Sequence, residues 1–216
     1  MKLQTSGLIV CGTDTDVGKT VVSALLVQGL NAIYWKPVQS GLEKGGDTGY
    51  IRNLLNLPRE RWLDEAYKFQ APVSPHWAAE KESKKIDPEK LKIPLVKQPL
   101  VLETAGGLLV PLNRKLLQID QLNCWKLPVV LVARTGLGTL NHTLLSIEAL
   151  RSRNIPLLGL MLNGPHHEDN PKTLEEIGGT KVLCHLPRLN ELNAKTLLEE
   201  WQRQSLSTTF KQLLQK

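Results

Sequence analysis

Lys19 and Thr20 close a glycine turn, GTDTDVGKT (residues 12–20), that follows the apolar run GLIVC. Such a turn, opening a helix on Lys-Thr, is suited to phosphate. Backbone N–H groups of the turn and the helix N-terminus face the oxygens, the lysine reaches β- and γ-phosphates, and the hydroxyl can ligate Mg²⁺. The usual spacing leaves four residues between the glycines. Here five separate Gly12 from Gly18, and Thr13 stands where the first glycine belongs. The inserted stretch, Thr13-Asp14-Thr15-Asp16, is polar and acidic. Carboxylates beside bound phosphate are unfavourable unless they face a metal, a cationic substrate group or solvent. The loop therefore points to a second ligand bearing amines near the γ-phosphate, with a solvated turn as the plainer alternative.

Further residues could join that site. Glu103 ends the apolar run PLVLE, where ATP-hydrolysing enzymes place an acid near Mg²⁺. Asp47 follows the glycines of EKGGD, in what reads as a mobile loop. Mg²⁺ takes one or two protein carboxylates and leaves its other positions to water and phosphate. Lys36 ends AIYWK and precedes Pro37, so it can serve as a compact positive charge beside an anionic intermediate. Ser40 and Gly41 follow with a hydroxyl and a close backbone approach.

To bring these residues together the chain needs parallel strands ending on one edge. GLIVCG, AIYWK, LVLE, PVVLVA, LLGLML and KVLCHL are short apolar runs, each followed by a loop of small or polar residues. Helical patterns cover VVSALLVQGL, NHTLLSIEALRSR, PKTLEEIG and ELNAKTLLEEWQRQ. The expectation is one domain over residues 1–216, an α/β fold with a doubly wound, mostly parallel sheet and helices on both faces. Ligands of such sheets bind beyond the carboxyl ends of the strands. Residues 57–97 stand out as a long excursion between strands, and excursions of that length are usually functional or flexible.

Composition adds limits. The chain has 216 residues, net charge +6, and 41% hydrophobic residues. No apolar run approaches the ~20 residues of a membrane span. The start MKLQTSGLIV lacks the build of a secretory leader, so a cytoplasmic protein without membrane partners is expected. Cys11, Cys124 and Cys184 are far apart, and Cys11 and Cys184 sit in strand-like runs as buried small hydrophobes. The basic residues are spread out, and the one dense run, EKESKKIDPEKLK, reads as a solvated helix face. Nucleic-acid binding would need a basic stripe or an aromatic platform, and neither is visible. Trp62, Trp77, Trp125 and Trp201 read as packing residues, and GPHHEDN, with His166 and His167, as a polar loop rather than a metal site.

In order, GTDTDVGKT, KPVQSG, YKFQAPVSPHWAA, ETAGGLLVPL, NHTLLS, NG and PRL resemble dethiobiotin synthetase over nearly the whole chain, including the five-residue glycine spacing. The resemblance implies a P-loop NTPase-like, three-layer α/β/α fold. It also implies a cyclo-ligase of biotin synthesis that uses ATP and Mg²⁺ to join 7,8-diaminononanoate with CO₂ or bicarbonate. One amine would capture CO₂ as a carbamate, ATP would phosphorylate it, and the second amine would close the cyclic urea. Carried over by position, Lys19 and Lys36 serve catalysis. The nucleotide is contacted by Asp16, Val17, Gly18, Lys19, Thr20, Val21, Asp47, Glu103, Thr104, Ala105, Gly106, Asn163, Gly164, Pro187, Arg188 and Leu189. Asn163 would bind adenine, with Pro187 to Leu189 lining the base pocket. Thr15 and Ser40 would touch the diamine or its carbamate, and Thr20, Asp47 and Glu103 the metal. A homodimer is implied, with GGLLVPL of one subunit and RTGLGTLNH of the other near the substrate carboxylate.

Three departures from the family pattern are visible. Thr104 stands where glycine is common after the metal-site glutamate, and its side chain could narrow the approach to the γ-phosphate or add a hydroxyl. Trp35 replaces a usual tyrosine, and residues 57–97 are short and basic beyond SPHWAA. The competing reading is a partitioning-type switch ATPase of the same fold. Its phosphate loop carries an early lysine, as in KGGxGKT, which GTDTDVGKT lacks.

Overall fold

A computed structural model of the chain describes residues 5–42 and 45–214. Residues 1–4, part of the stretch read above for a leader, lie outside the described residues. Among the described residues ten strands follow in chain order: β1 (Gly7–Gly12), β2 (Ile33–Trp35), β3 (Val38–Ser40), β4 (Tyr67–Phe69), β5 (Leu100–Gly107), β6 (Pro111–Asn113), β7 (Leu116–Leu117), β8 (Val129–Arg134), β9 (Leu157–Asn163) and β10 (Val182–Leu186). The six apolar runs form one parallel sheet in the order β10-β9-β8-β1-β5-β2. β1 thus lies between β5 and β8, and the phosphate loop leaves the middle of the sheet.

Because strand side chains alternate between faces, β1 feeds two cores. Leu8 and Val10 face α1 (Lys19–Gly29), α7 (Ala194–Arg203) and α8 (Leu206–Leu214), meeting Leu25, Leu26, Leu197, Trp201 and Phe210. Ile9 and Cys11 face α4 (Gln118–Trp125), α5 (Thr139–Arg151) and α6 (Asn170–Gly178), meeting Ile119, Leu122, Ile147, Leu150 and Leu174. α1 is apolar on nearly all sides, and Val22 to Val27 are all buried. α2 (Gly46–Leu55) and α3 (Pro75–Lys81) complete the helices beside the strand ends. The result is the expected three-layer α/β/α arrangement.

Several local expectations change. Asp47 lies in the first turn of α2, not in a mobile loop, because Gly45 and Gly46 adopt positive φ and turn the chain into the helix. The excursion over residues 57–97 is ordered by β4, which pairs with β3, by α3, and by 3-10 turns at Arg59–Arg61 and Pro88–Leu91. In the basic run only Glu80 and Lys81 are α-helical. Ser83 enters the left-handed region at φ 54°, and Ile86 and Leu91 bury completely. Cys11 and Cys184 are buried and Cys124 exposed. Trp125 and Trp201 pack, Trp62 lies between the guanidinium groups of Arg52 and Arg59, and Trp77 remains 48% exposed.

Candidate active site

The glycine loop is held at its start by the Thr13 N–H, which donates to the Val132 carbonyl at 3.0 Å. Asp16 (φ 57°) and Gly18 (φ 94°) both take left-handed conformations, the kind of backbone turn that can present N–H groups to an anion. Glycine is required at 18 twice over, since a Cβ there would also lie 2.1 Å from Asn163 Nδ2. No side chain caps the N-terminus of α1, which leaves the helix start open to an anionic ligand. Lys19 is 7% exposed and donates from Nζ to the Asp14 carbonyl at 2.7 Å, inside the loop it serves. Burial, and then the nearby Lys36 charge, lower its pKa from the usual lysine value.

A charged cluster sits beside the loop at the ends of β2 and β5. The register Tyr34↔Val101 and Val10↔Glu103 places Tyr34, Lys36, Val101 and Glu103 on the sheet face that carries α1. Glu103, fully buried, accepts at Oε1 from Lys36 Nζ (2.9 Å) and from the Thr20 hydroxyl (3.0 Å). Lys36 Nζ also donates to Asp47 Oδ2, so one ammonium lies between two carboxylates. Burial alone would lower the Lys36 pKa, but Glu103 and Asp47 outweigh it and hold the pKa above the usual lysine value. For Asp47 burial acts upward, yet the Lys36 charge and hydrogen bond prevail and its pKa falls below the usual carboxylate value.

A cleft of about 770 Å³ opens over this cluster. Thr15, Asp16, Gly18, Lys19 and Thr20 form one wall, and Lys36, Gln39, Ser40, Asp47 and Glu103 the floor. Ala105, Gly106 and Val110 on one side and Pro72 to Pro75 on the other form its rim. The Ser40 hydroxyl is buried with no hydrogen-bond partner, a polar group left available within the lining. The 57–97 excursion therefore contributes a wall of the site through Pro72 to Pro75.

Other expected site residues lie elsewhere. The Thr104 side chain is 2% exposed and its hydroxyl donates to the Val10 carbonyl at 3.3 Å. It turns into the sheet, so it neither narrows the cleft nor supplies it with a hydroxyl. Val17 is buried beneath the loop and Val21 half-buried on α1. Asn163 donates its amide to the Val17 carbonyl at 3.2 Å, and the Gly164 N–H donates to the Leu186 carbonyl at 3.0 Å. Pro187 and Leu189 are half-buried and Arg188 exposed. These groups end β9 and β10, across the phosphate loop from Lys36. His166, His167 and Glu168 are exposed, and His167 Nδ1 accepts from the N–H groups of Asp169 and Asn170 at the start of α6.

A buried partner of Glu103 also escaped the sequence reading. Tyr34, fully buried, donates its hydroxyl to Glu103 Oε2 at 3.0 Å. Burial, and then the Glu103 charge, raise its pKa well above the usual tyrosine value. Inside AIYWK it reads as a core residue, and only the strand register reveals the neighbouring acid.

Comparison with known proteins bears on this geometry. The profile of a family described as an AAA domain matches residues 6–196. An ATP-dependent dethiobiotin synthetase of Rhodopseudomonas palustris is 51% identical over 190 residues, covering 88% of this chain and 90% of the relative. One from Brucella melitensis is 48% identical over 198 residues, covering 92% and 93%. Among solved structures, a ParA family ATPase from Chlorobium tepidum aligns with TM-score 0.58 at 13% identity, over 98% of each chain. The Pyrococcus furiosus cell division ATPase MinD aligns with TM-score 0.59 at 14% identity, over 97% of this chain and all of the other. At such identities these two share the fold alone. Half-identity across nearly the full length, joined to the widened glycine loop and the cluster beside it, makes the chain a member of the ATP-dependent dethiobiotin synthetase family.

Proposed function

We propose that the cluster at the ends of β2 and β5 supports phosphorylation of a carbamate, and that the cleft above it then closes a cyclic urea. The enzyme is a ligase that forms C–N bonds, making dethiobiotin from 7,8-diaminononanoate, CO₂ and ATP. One amine adds to CO₂ and loses a proton, leaving a carbamate. A carbamate oxygen attacks the γ-phosphorus and ADP departs, giving a carbamic–phosphoric anhydride. The second amine attacks the anhydride carbonyl, loses its proton, and expels phosphate together with that carbamate oxygen. Phosphorylation is needed because an oxyanion leaves a carbamate poorly and phosphate leaves readily.

The residues divide the work by position. The loop from Asp16 to Gly18, Lys19, and the α1 start through Val21 receive the phosphates. Lys36 carries charge next to the transferring group, where fixed charge in a shielded site lowers a barrier most. Thr15 and Ser40 face the same space and suit the diamine or its carbamate. Ala105 and Gly106 border the phosphates, with Thr104 contributing backbone only. Asn163, Gly164 and Pro187 to Leu189 suit the base.

The donors Thr20, Asp47 and Glu103 fit Mg²⁺, being hard oxygens with two carboxylates, the number Mg²⁺ commonly takes. When bound there, Mg²⁺ neutralises charge on the β- and γ-phosphates. Among the described residues no group of three or more His, Cys, Asp or Glu is placed to hold a metal. A homodimer is supported by exposed Leu109 and Leu145, which line a separate hollow of about 450 Å³. Among the described residues no helix is long and apolar enough to cross a membrane. ATP use suits a cytoplasmic setting.

The observation that carries this reading is the Lys36 ammonium set between Glu103 and Asp47 against the glycine loop. Its test is ADP release from Mg·ATP and bicarbonate, with and without 7,8-diaminononanoate, followed by mass spectrometry. The expected result is diamine-dependent ADP and a cyclic urea product. ADP release indifferent to the diamine would mean that the second substrate is misassigned.

A further inference from the structure

Glu103 is the hub of the cluster, and its two oxygens have different surroundings. Oε1 receives Lys36 and Thr20, both of which line the cleft. Oε2 points into the protein and receives the Tyr34 hydroxyl at 3.0 Å. The hydroxyl has no other hydrogen-bond partner among the described residues, and neither Tyr34 nor Glu103 is exposed to solvent. A fully buried carboxylate needs its lone pairs satisfied, and a donor fixed by strand packing determines which way the carboxylate plane turns.

The fold makes this arrangement rigid. Tyr34 pairs in register with Val101, two residues before Glu103 on the same face, so its ring runs diagonally along β5 to reach the acid. Its ring packs in the same core as Val10 and Val101, beneath α1. On the backbone, its carbonyl accepts from the Leu63 N–H at 2.9 Å. Ring and backbone are therefore both anchored, and the hydroxyl has little freedom.

We infer that Tyr34 is a positioning residue for the reaction: by occupying Glu103 Oε2 it keeps Oε1 turned to the cleft, toward Thr20, Lys36 and the cation that accompanies ATP. The inference rests on the assignment of Glu103 under the proposed function and deepens it. Partners that orient a ligating carboxylate commonly cost about 10- to 100-fold in metal affinity or activity when removed. A tyrosine present only to fill the core would be replaceable by phenylalanine, which keeps the ring.

The test is Tyr34→Phe in the full-length protein, with dethiobiotin formation followed across Mg²⁺ concentrations. ATP affinity is measured in EDTA, and Mn²⁺ binding in the presence of ADP by electron paramagnetic resonance. Expected are a kcat at least about 10-fold lower, a similar rise in the cation concentration required, weaker Mn²⁺ binding, and unchanged metal-free ATP affinity. In a Glu103→Gln background the same change should cost little more, since the two side chains act as a unit. Wild-type kcat with wild-type cation dependence and Mn²⁺ binding would overturn the inference while leaving the ligase assignment intact. Loss of the wild-type protein's own diamine-dependent turnover would instead remove the assignment beneath it. Should Tyr34→Phe fail to fold, the wild-type protein with ¹³Cζ-labelled tyrosine gives the same answer. The Tyr34 resonance should move when Mg²⁺ is added to the ADP complex, while that of Tyr67, whose hydroxyl accepts from the Asp87 N–H, stays put. A Tyr34 resonance indifferent to the cation would overturn the inference.

Discussion

The two ends of the proposed nucleotide site are built differently. At the β2/β5 end, Lys36, Glu103, Asp47, Thr20 and Tyr34 form a closed set of charged and polar contacts, with Glu103 and Tyr34 fully buried. At the β9/β10 end, Asn163 holds one amide contact to the loop, Pro187 and Leu189 are half-buried, and Arg188 is exposed. Charge that must stabilise a transition state works best when fixed beforehand in a shielded site. Holding a base requires only shape and a few hydrogen bonds, which a strand end can supply while remaining open. Changes at the first end should therefore appear in kcat, and changes at the second in KM for ATP.

The largest expected effect is that of Lys36→Ala, a kcat loss of roughly 100- to 1,000-fold, as for other residues that stabilise transition-state charge. ATP affinity by calorimetry should stay near wild type. Near-normal turnover would remove the asymmetry between the two ends.

Lys19→Ala should weaken ATP binding itself by roughly 10- to 100-fold, the effect of losing a hydrogen bond to a charged group. pH separates the two lysines without mutation. The Lys19 pKa is lowered, by burial first and the Lys36 charge second, so Lys19 loses its proton as pH rises through a range below that of ordinary lysines. Lys36, held high by Glu103 and Asp47, stays charged there. ATP affinity should fall with rising pH in that range, and a flat profile would contradict the role of Lys19.

Asn163→Ala should raise KM for ATP by about 5- to 10-fold, the loss of one or two hydrogen bonds, with kcat unchanged. A kcat loss there would blur the division. The smallest effect belongs to Thr104→Gly. Its side chain faces Val10, so activity should stay within about twofold, while glycine in a strand costs about 1 kcal/mol. A melting temperature lower by roughly 2–4 °C would register that cost.

The sequence reveals the framework more fully than the site's support. The six sheet strands are visible because buried parallel strands are short apolar runs, and Lys36 and Glu103 can be placed because each ends such a run. Asp47 is visible as an acid but not as a helical one. α2 begins with glycines, and GDTGYIRNLL has too few apolar residues to display a helical period. α3 and α8 are similarly short, and α4 carries only Ile119, Leu122 and Trp125 as its buried apolar stripe. Thr104 is misjudged from its position next to Glu103, since adjacent strand residues face opposite sides of the sheet. Tyr34 is hidden for the converse reason, its partner being close only through strand register.

The central claim is that a carbamate oxygen attacks ATP and then leaves with phosphate. The most direct measurement uses ¹⁸O-labelled bicarbonate in unlabelled water, quenched before the label exchanges with solvent, with phosphate and product weighed by mass spectrometry. The account predicts that each phosphate released carries one ¹⁸O from bicarbonate, that the urea carbonyl retains another, and that both require 7,8-diaminononanoate. Unlabelled phosphate would show that water, not the carbamate, takes the γ-phosphoryl group, and would contradict the account.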